Sequence, residues 1–235
     1  LTNATITENL ARVRDRITKA AIDADRDPAE IRLIAVSKTK PVAAIAEALD
    51  AGQLDFGENY VQEAVPKIDA LAGRGAVWHF IGAIQTNKTR DLAIHFDWVH
   101  TVAREKVARR LHDQCPEGRR LNVCLQVNVD GDPNKAGVTP TEAGELLSRC
   151  RGYDNVAVRG LMTILDPRTD PEAGYNRLGD LFEALRPSAG PGWDTLSMGM
   201  SGDYEAAIAA GATFVRVGTA IFGPRDRTAR TGVSI

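Results

Sequence analysis

The sequence predicts an α/β fold: a TIM (β/α)8 barrel with an extra helix at its N-terminus. Two observations predict the class and a third the closure. Eight apolar runs of strand length alternate with stretches of helical periodicity, and regular βα alternation implies a parallel sheet. The first run, 31–36, is short, rich in β-branched residues and bounded by an acidic turn and Pro41, as a strand buried on both faces would be. The 235 residues can fill one closed α/β barrel. Alternation alone also admits a doubly wound open sheet. No internal repeat or linker-like composition divides the chain, so we expect one domain over 1–235, with the extra helix within 1–30 and a flexible tail over 227–235.

In chain order, Thr5 and Glu8 form a capping box, followed by Ile6, Leu10, Val13, Ile17 and Ala21 at helical spacing. After the first strand come an alanine-rich helix at 42–51 ended by Gly52, a short strand at 54–56 and a helix at 60–71. A third strand at 76–81 leads through a polar stretch into a helix reaching about His95. Strands at 97–101, 121–129, 156–163, 195–198 and 214–217 follow, with helices at 104–114, 141–150, 171–186 and 204–210 between them, and a short segment at 220–222 after the last.

Composition narrows the function. Lys and Arg total 29 against 31 Asp and Glu, a net charge of −2. Without a basic tract, nucleic acid is not expected as a partner. No apolar stretch approaches membrane-spanning length, so no membrane partner is expected, and the early polar residues are unlike a signal peptide. Cys115, Cys124 and Cys150 form no CxxC pair and the four histidines no metal-binding spacing. We therefore expect no metal, no disulfide framework and a cytoplasmic location.

Lys38 stands where the first strand meets its loop, the edge at which parallel α/β folds carry chemistry. It reads either as a solvated loop lysine or as a partly desolvated amine able to attack a carbonyl and form a Schiff base. Two later strand exits are rich in small and hydroxylated residues: Gly199, Met200, Ser201 and Gly202 after the seventh strand, Gly218 and Thr219 after the eighth. These are the recurrent phosphate loops of TIM barrels, with Ser201 at the expected N-cap; the plain alternative is two ordinary glycine turns. Arg216 shares a strand face with Phe214 and Gly218, to ion-pair with a barrel carboxylate or to meet a ligand's ring nitrogen or anion. A Schiff-base lysine, a phosphate cup and such an arginine together suggest pyridoxal 5′-phosphate (PLP) as cofactor.

The stretches AVSKTKP (35–41), FGENYVQE (56–63), WHFIGAIQTNK (78–88), SMGMSGDYEAAIAAG (197–211) and VRVGTAIFG (215–223) closely resemble the pyridoxal phosphate homeostasis protein family. The similarity runs from about Leu10 to Asp226. The resemblance implies the barrel of the alanine racemase N-terminal domain, PLP as ligand, and a carrier or buffer role without established catalysis. Position by position, it implies Lys38 as the lysine holding PLP as an internal aldimine. Met200, Ser201, Gly218 and Thr219 would form the phosphate cup, Asn59 would line the pocket, and Arg216 would face the pyridine nitrogen. An arginine there favours an unprotonated ring nitrogen, which makes PLP a poor electron sink. The implied partners beside PLP are apo PLP-dependent enzymes as recipients, and the implied state is a monomer or weak dimer.

The chain departs from the family in lacking a proline after Gly82, in an individual start to the loop at 130–137, and in a tail without lysine after Arg225. The last puts a tail-based transfer route in doubt. Lys19, Lys67 and Lys106 read as surface charges, Lys40 as exposed, Lys88 as a helix-start residue, and Lys135 as a loop lysine that could be a secondary acceptor. His79 reads as a core or pocket-wall histidine, Trp78 and Phe80 as core, and Glu58 as a site carboxylate, a cap or an ion-pair member. The competing function is a PLP-dependent amino-acid racemase. That needs a second base opposite Lys38, for which Tyr60 and Tyr204 are the candidates, and we expect no room after the eighth strand for a further β-domain. A cofactor-free Schiff-base aldolase ranks third, because it leaves Arg216 unexplained.

Overall fold

The structure, a computed structural model, describes residues 4–224; the tail expected at 227–235 lies outside the described residues. Helix α1 (Ile6–Asp23) opens with the expected capping box: the Thr5 side chain accepts from the Glu8 amide, and Glu8 reaches back to the Thr5 N–H. Its buried stripe, Leu10, Val13, Ile17 and Ala21, recurs at the spacing of one helix face.

Eight βα units follow: β1 (Arg32–Val36) and α2 (Val42–Asp50), β2 (Asp55–Glu58) and α3 (Val61–Ala70), β3 (Val77–Phe80) and α4 (Thr89–His95), β4 (Trp98–Val102) and α5 (Glu105–Gln114). The second half continues with β5 (Leu121–Gln126) and α6 (Ala143–Cys150), β6 (Val156–Met162) and α7 (Pro171–Ala189), β7 (Thr195–Met200) and α8 (Tyr204–Ala209), β8 (Phe214–Val217) and α9 (Thr219–Phe222). The strands pair in parallel in sequence order, and β8 returns to β1, with Ile34 opposite Arg216. The sheet is a closed barrel, not the open alternative.

Element ends differ from expectation by a few residues. The largest differences are three residues: α7 runs on to Ala189 rather than 186, and β5 stops at Gln126 rather than at 129. Val127 there makes an isolated bridge to Val138, so the chain leaves the barrel wall early.

Side chains alternate across the barrel wall. Outward positions such as Leu33, Ala35, Phe56, Trp78 and Phe80 join the helices in one large apolar layer. Ile34, Trp98, Cys124, Met162 and Phe214 form a second cluster inside the barrel. Trp78 and Phe80 are core residues, as expected. The interior cluster closes the N-terminal half of the barrel and leaves the C-terminal ends of the strands to polar residues. Among the described residues no helix is long and apolar enough to cross a membrane.

Candidate ligand site at the C-terminal mouth

The site occupies four neighbouring strand ends, β7, β8, β1 and β2. Along β1, Ile34 faces the interior, and the same parity carries to Val36 and Lys38. The ladder continues past the strand, with Ser37 N–H donating to Gly57 O at 3.0 Å. Lys38 leaves at its end, half-buried. The next residue, Thr39, has φ +64, a costly conformation for a β-branched side chain. Its N–H donates to Glu63 Oε2 at 3.1 Å, and Lys40 N–H closes a turn to Ser37 O at 3.0 Å.

Lys40 is not the exposed lysine expected. Its Nζ donates to the carbonyls of Phe222, Gly223 and Pro224 at 2.9, 3.2 and 2.8 Å. These carbonyls end α9, and a cation there satisfies groups the helix leaves open. The exit of β1 is thereby tied to the exit of β8.

Lys67 is not a surface charge either. It is 7% exposed, and its Nζ donates to Glu58 Oε1 at 2.8 Å and to Ser37 O at 3.1 Å. Ser37 Oγ donates to the same carboxylate oxygen at 2.6 Å. Burial pushes the Glu58 carboxyl up, against Lys67 and Ser37, which favour its charged form. The sequence signal was spacing: Lys67 falls three residues after Ala64 and six after Val61, on the buried face of α3. Of the roles open for Glu58, the structure gives the ion pair.

Asn59 follows β2 on the inward parity of Gly57. Gly82 lies so close that a Cβ there would come within 2.1 Å of Asn59 O. The Asn59 Oδ1 is buried with no hydrogen-bond partner among the described residues. A buried acceptor in this state is expensive, and it lies on the side where a ligand would enter.

At the end of β7, Met200 is in register with Arg216. Gly199 has φ +91, and a Cβ there would come within 2.6 Å of Ala207 Cβ, so the strand turns into α8 with no room for a side chain. Ser201 is not the N-cap expected. The turn closes first, Asp203 N–H donating to Met200 O at 3.1 Å, and Asp203 takes the N-cap position. Its Oδ1 accepts from the Met200 amide at 2.6 Å, which leaves Ser201 half-buried within the turn. Gly218 lies against β1, where a Cβ would be 3.3 Å from Val36 Cβ. Gly218 O accepts the amides of Ile221 and Phe222, and Thr219 opens α9 with its side chain exposed.

Arg216, 4% exposed, is inside the barrel below this arc. Its Nη1 donates to Ser197 Oγ and its Nη2 to Thr163 O, both at 2.9 Å. No carboxylate among the described residues ion-pairs with it, so the structural ion pair left open by the sequence is absent there. Burial lowers its affinity for its proton, opposed by Tyr175 and Asp203.

The structure therefore brings Lys38, Asn59, Met200, Ser201, Arg216, Gly218 and Thr219 to one mouth. Two other candidates are engaged differently. Lys135 Nζ is held by Asp130 Oδ2 at 2.9 Å and Ile164 O at 3.1 Å. Tyr204 is fully buried under Arg16 of α1. His79 is a core histidine, but not an isolated one. It belongs to a buried line through Asp55, His100 and Ser197 that sequence reading did not find. These four residues are remote in sequence and meet only through strand register.

The residues fit PLP on their own chemistry. Among the described residues, a buried cation without a carboxylate partner and an orphaned acceptor share the mouth with a lysine, and two strand exits carry small residues and hydroxyls. A ring acceptor would answer the cation, a phosphate the hydroxyls and an aldehyde the lysine, while the orphaned oxygen calls for a ligand donor.

Comparison with known proteins agrees with the fold. The family described as alanine racemase, N-terminal domain, matches residues 4–226. The pyridoxal phosphate homeostasis protein of Pseudomonas aeruginosa is 53% identical over 227 residues, covering 95% of this chain and 97% of that protein. The Escherichia coli K12 protein of the same name is 50% identical over 228 residues, covering 94% and 97%. The structure of PipY from Synechococcus elongatus with PLP bound superposes with a TM-score of 0.81 at 38% identity, covering 93% of this chain and all of that one. On the length and identity of these matches, the chain belongs to the pyridoxal phosphate homeostasis protein family, built on the alanine racemase N-terminal domain.

Proposed function

We propose that this chain binds PLP and serves PLP homeostasis as a carrier or buffer rather than as an enzyme. The observation that carries the reading is Arg216: a buried guanidinium without a carboxylate partner among the described residues, in register with Ile34 of the strand that leads to Lys38 and with Met200 at the exit of β7. A charge so placed calls for an acceptor from the ligand. Binding of PLP by PipY, 38% identical over nearly the whole chain, supports the same ligand here.

In this reading Lys38 adds its amine to the PLP aldehyde with loss of water, leaving an aldimine. The Met200–Ser201 and Gly218–Thr219 turns, with the Ser201 and Thr219 hydroxyls, take the phosphate. Asn59 lines the pocket with its unmatched oxygen, and Arg216 donates toward the ring nitrogen. PLP supplies an aldehyde and an electron-accepting ring. A cation that stays protonated beside the ring nitrogen keeps that atom an acceptor, which favours holding PLP over stabilising carbanions. We place the function in one cytoplasmic domain, monomeric or weakly dimeric, with apo PLP-dependent enzymes as recipients.

The test is an absorbance titration with PLP of wild type beside Lys38→Ala, followed by L- and D-amino acids with product chirality monitored. A visible aldimine band in wild type that is lost in the variant, without turnover, is the expected result. Steady racemisation would replace the carrier reading with the racemase, and absence of the band in wild type would end the PLP reading.

A further inference from the structure

A line of hydrogen bonds crosses the barrel interior behind Arg216. Ser197 Oγ, which accepts from Arg216, lies 2.8 Å from His100 Nδ1. His100 Nε2 lies 2.9 Å from His79 Nδ1, and His79 Nε2 lies 2.9 Å from Asp55 Oδ1. Ser197 and both histidines have no exposure. Asp55 ends the line near the N-terminal face, where Arg32 pairs with it.

The direction of donation along this line follows from its ends. Arginine has no lone pair to accept with, so Ser197 Oγ must accept from it and has one proton left to give. That proton goes to His100 Nδ1. His100 is then protonated at Nε2 and donates to His79 Nδ1, and His79 donates through Nε2 to the Asp55 carboxylate. Every dipole in the line turns its negative end to Arg216 and its positive end to Asp55. Reversing the line would put a second donor against the guanidinium and remove the donor from Asp55. Hydrogen bonds aligned this way polarise one another inside a protein. Burial also disfavours the charged form of both imidazoles, and for His100 the nearby His79 and Arg216 add to the effect.

We infer that Ser197, His100, His79 and Asp55 are positioning residues: a one-way relay, with both histidines locked as neutral Nε2–H tautomers, that aims Arg216 at the ligand ring and ends on the carboxylate that Arg32 pairs with near the N-terminal face. The inference rests on the PLP reading for the identity of the ring. It deepens that reading by assigning four residues behind the arginine.

Two measurements test it. The first needs no variant: long-range ¹⁵N–¹H correlation of the imidazoles in the cofactor-free full chain. His79 and His100 should both appear as Nε2–H tautomers between pH 6 and 8. An Nδ1–H tautomer or an imidazolium at either site overturns the relay. The second compares Ser197→Ala with Ser197→Thr, the latter keeping the hydroxyl. Loss of one hydrogen bond to a charged group predicts PLP binding weaker by about tenfold or more in Ser197→Ala, together with a displaced absorption maximum of bound PLP, both restored toward wild type in Ser197→Thr. Unchanged affinity and spectrum in Ser197→Ala would remove the positioning role. If wild type has the assigned tautomers but forms no Lys38-dependent band, the PLP reading fails and takes the aim of Arg216 with it.

Discussion

Lys67 donates to Oε1 of Glu58 at 2.8 Å, on the outer side of the strand whose next residue is Asn59. Both side chains are buried, and the lysine also holds the carbonyl of Ser37, the residue before Lys38. One ion pair between α3 and β2 thus supports the exits of β1 and β2, one half of the site. Removing one partner strands a buried charge. Lys67→Met should destabilise the fold by roughly 3–5 kcal/mol, and adding Glu58→Gln should recover most of the loss. Urea unfolding of the two variants measures this; a single variant within 1 kcal/mol of wild type would contradict it.

Thr39, with its φ of +64, stores strain immediately after Lys38. Thr39→Gly should remove it and stabilise the fold by about 1 kcal/mol, the strain relieved less the entropy glycine adds to the unfolded chain. The same change frees the loop that carries Lys38, so PLP binding should weaken while the melting temperature rises. The two readouts moving together in either direction would argue that the strain has no part in placing the lysine.

The interior histidines make a prediction for acid. Both are held below the ordinary histidine pKa by burial. In the unfolded chain they take up protons as pH falls through about 6.5, while in the folded chain they do so only at lower pH. Their contribution is therefore complete above that pH and is lost on acidification, by about 1.4 kcal/mol per pH unit for each proton withheld. Stability measured at pH 7.5, 6.5 and 5.5 should fall over the last interval, and His79→Gln with His100→Gln should flatten the fall. A wild-type profile flat to pH 5.5 would show that the pair titrates freely.

Gly82 packs against the backbone of Asn59, where no side chain can give way. Gly82→Ala must move one of the two strand exits, at a cost of about 1–3 kcal/mol. If Asn59 is part of the PLP pocket, affinity should drop as well; full affinity in a folded Gly82→Ala variant would separate Asn59 from the site.

Much of this was legible in the sequence, for specific reasons. The barrel was read from alternation of short apolar runs with period-3.6 segments, which is local information. Lys38, Gly218 and Thr219 could be placed at strand exits because each lies within two residues of a strand end. Ser201 was placed at the right strand exit but given the wrong role. The N-cap fell to Asp203 because a turn closes between Met200 and Asp203 before the helix begins. Lys67 and Lys40 were misread because charge was taken as a sign of exposure, whereas each is matched by groups distant in sequence: Ser37 O for one, the α9 carbonyls for the other. The relay behind Arg216 was out of reach for a related reason. Asp55, His79, His100 and Ser197 come from four strands, and the shared inward parity that could have suggested it needs β4 and β7 to be placed in register across their shifts.

The central claim is that Lys38 holds PLP. The most direct measurement is borohydride reduction of the PLP-saturated protein followed by peptide mapping by mass spectrometry. The account predicts one dominant phosphopyridoxyl adduct, on the peptide containing Lys38. Modification centred on Lys135 or spread over surface lysines, with Lys38 unmodified, would contradict it.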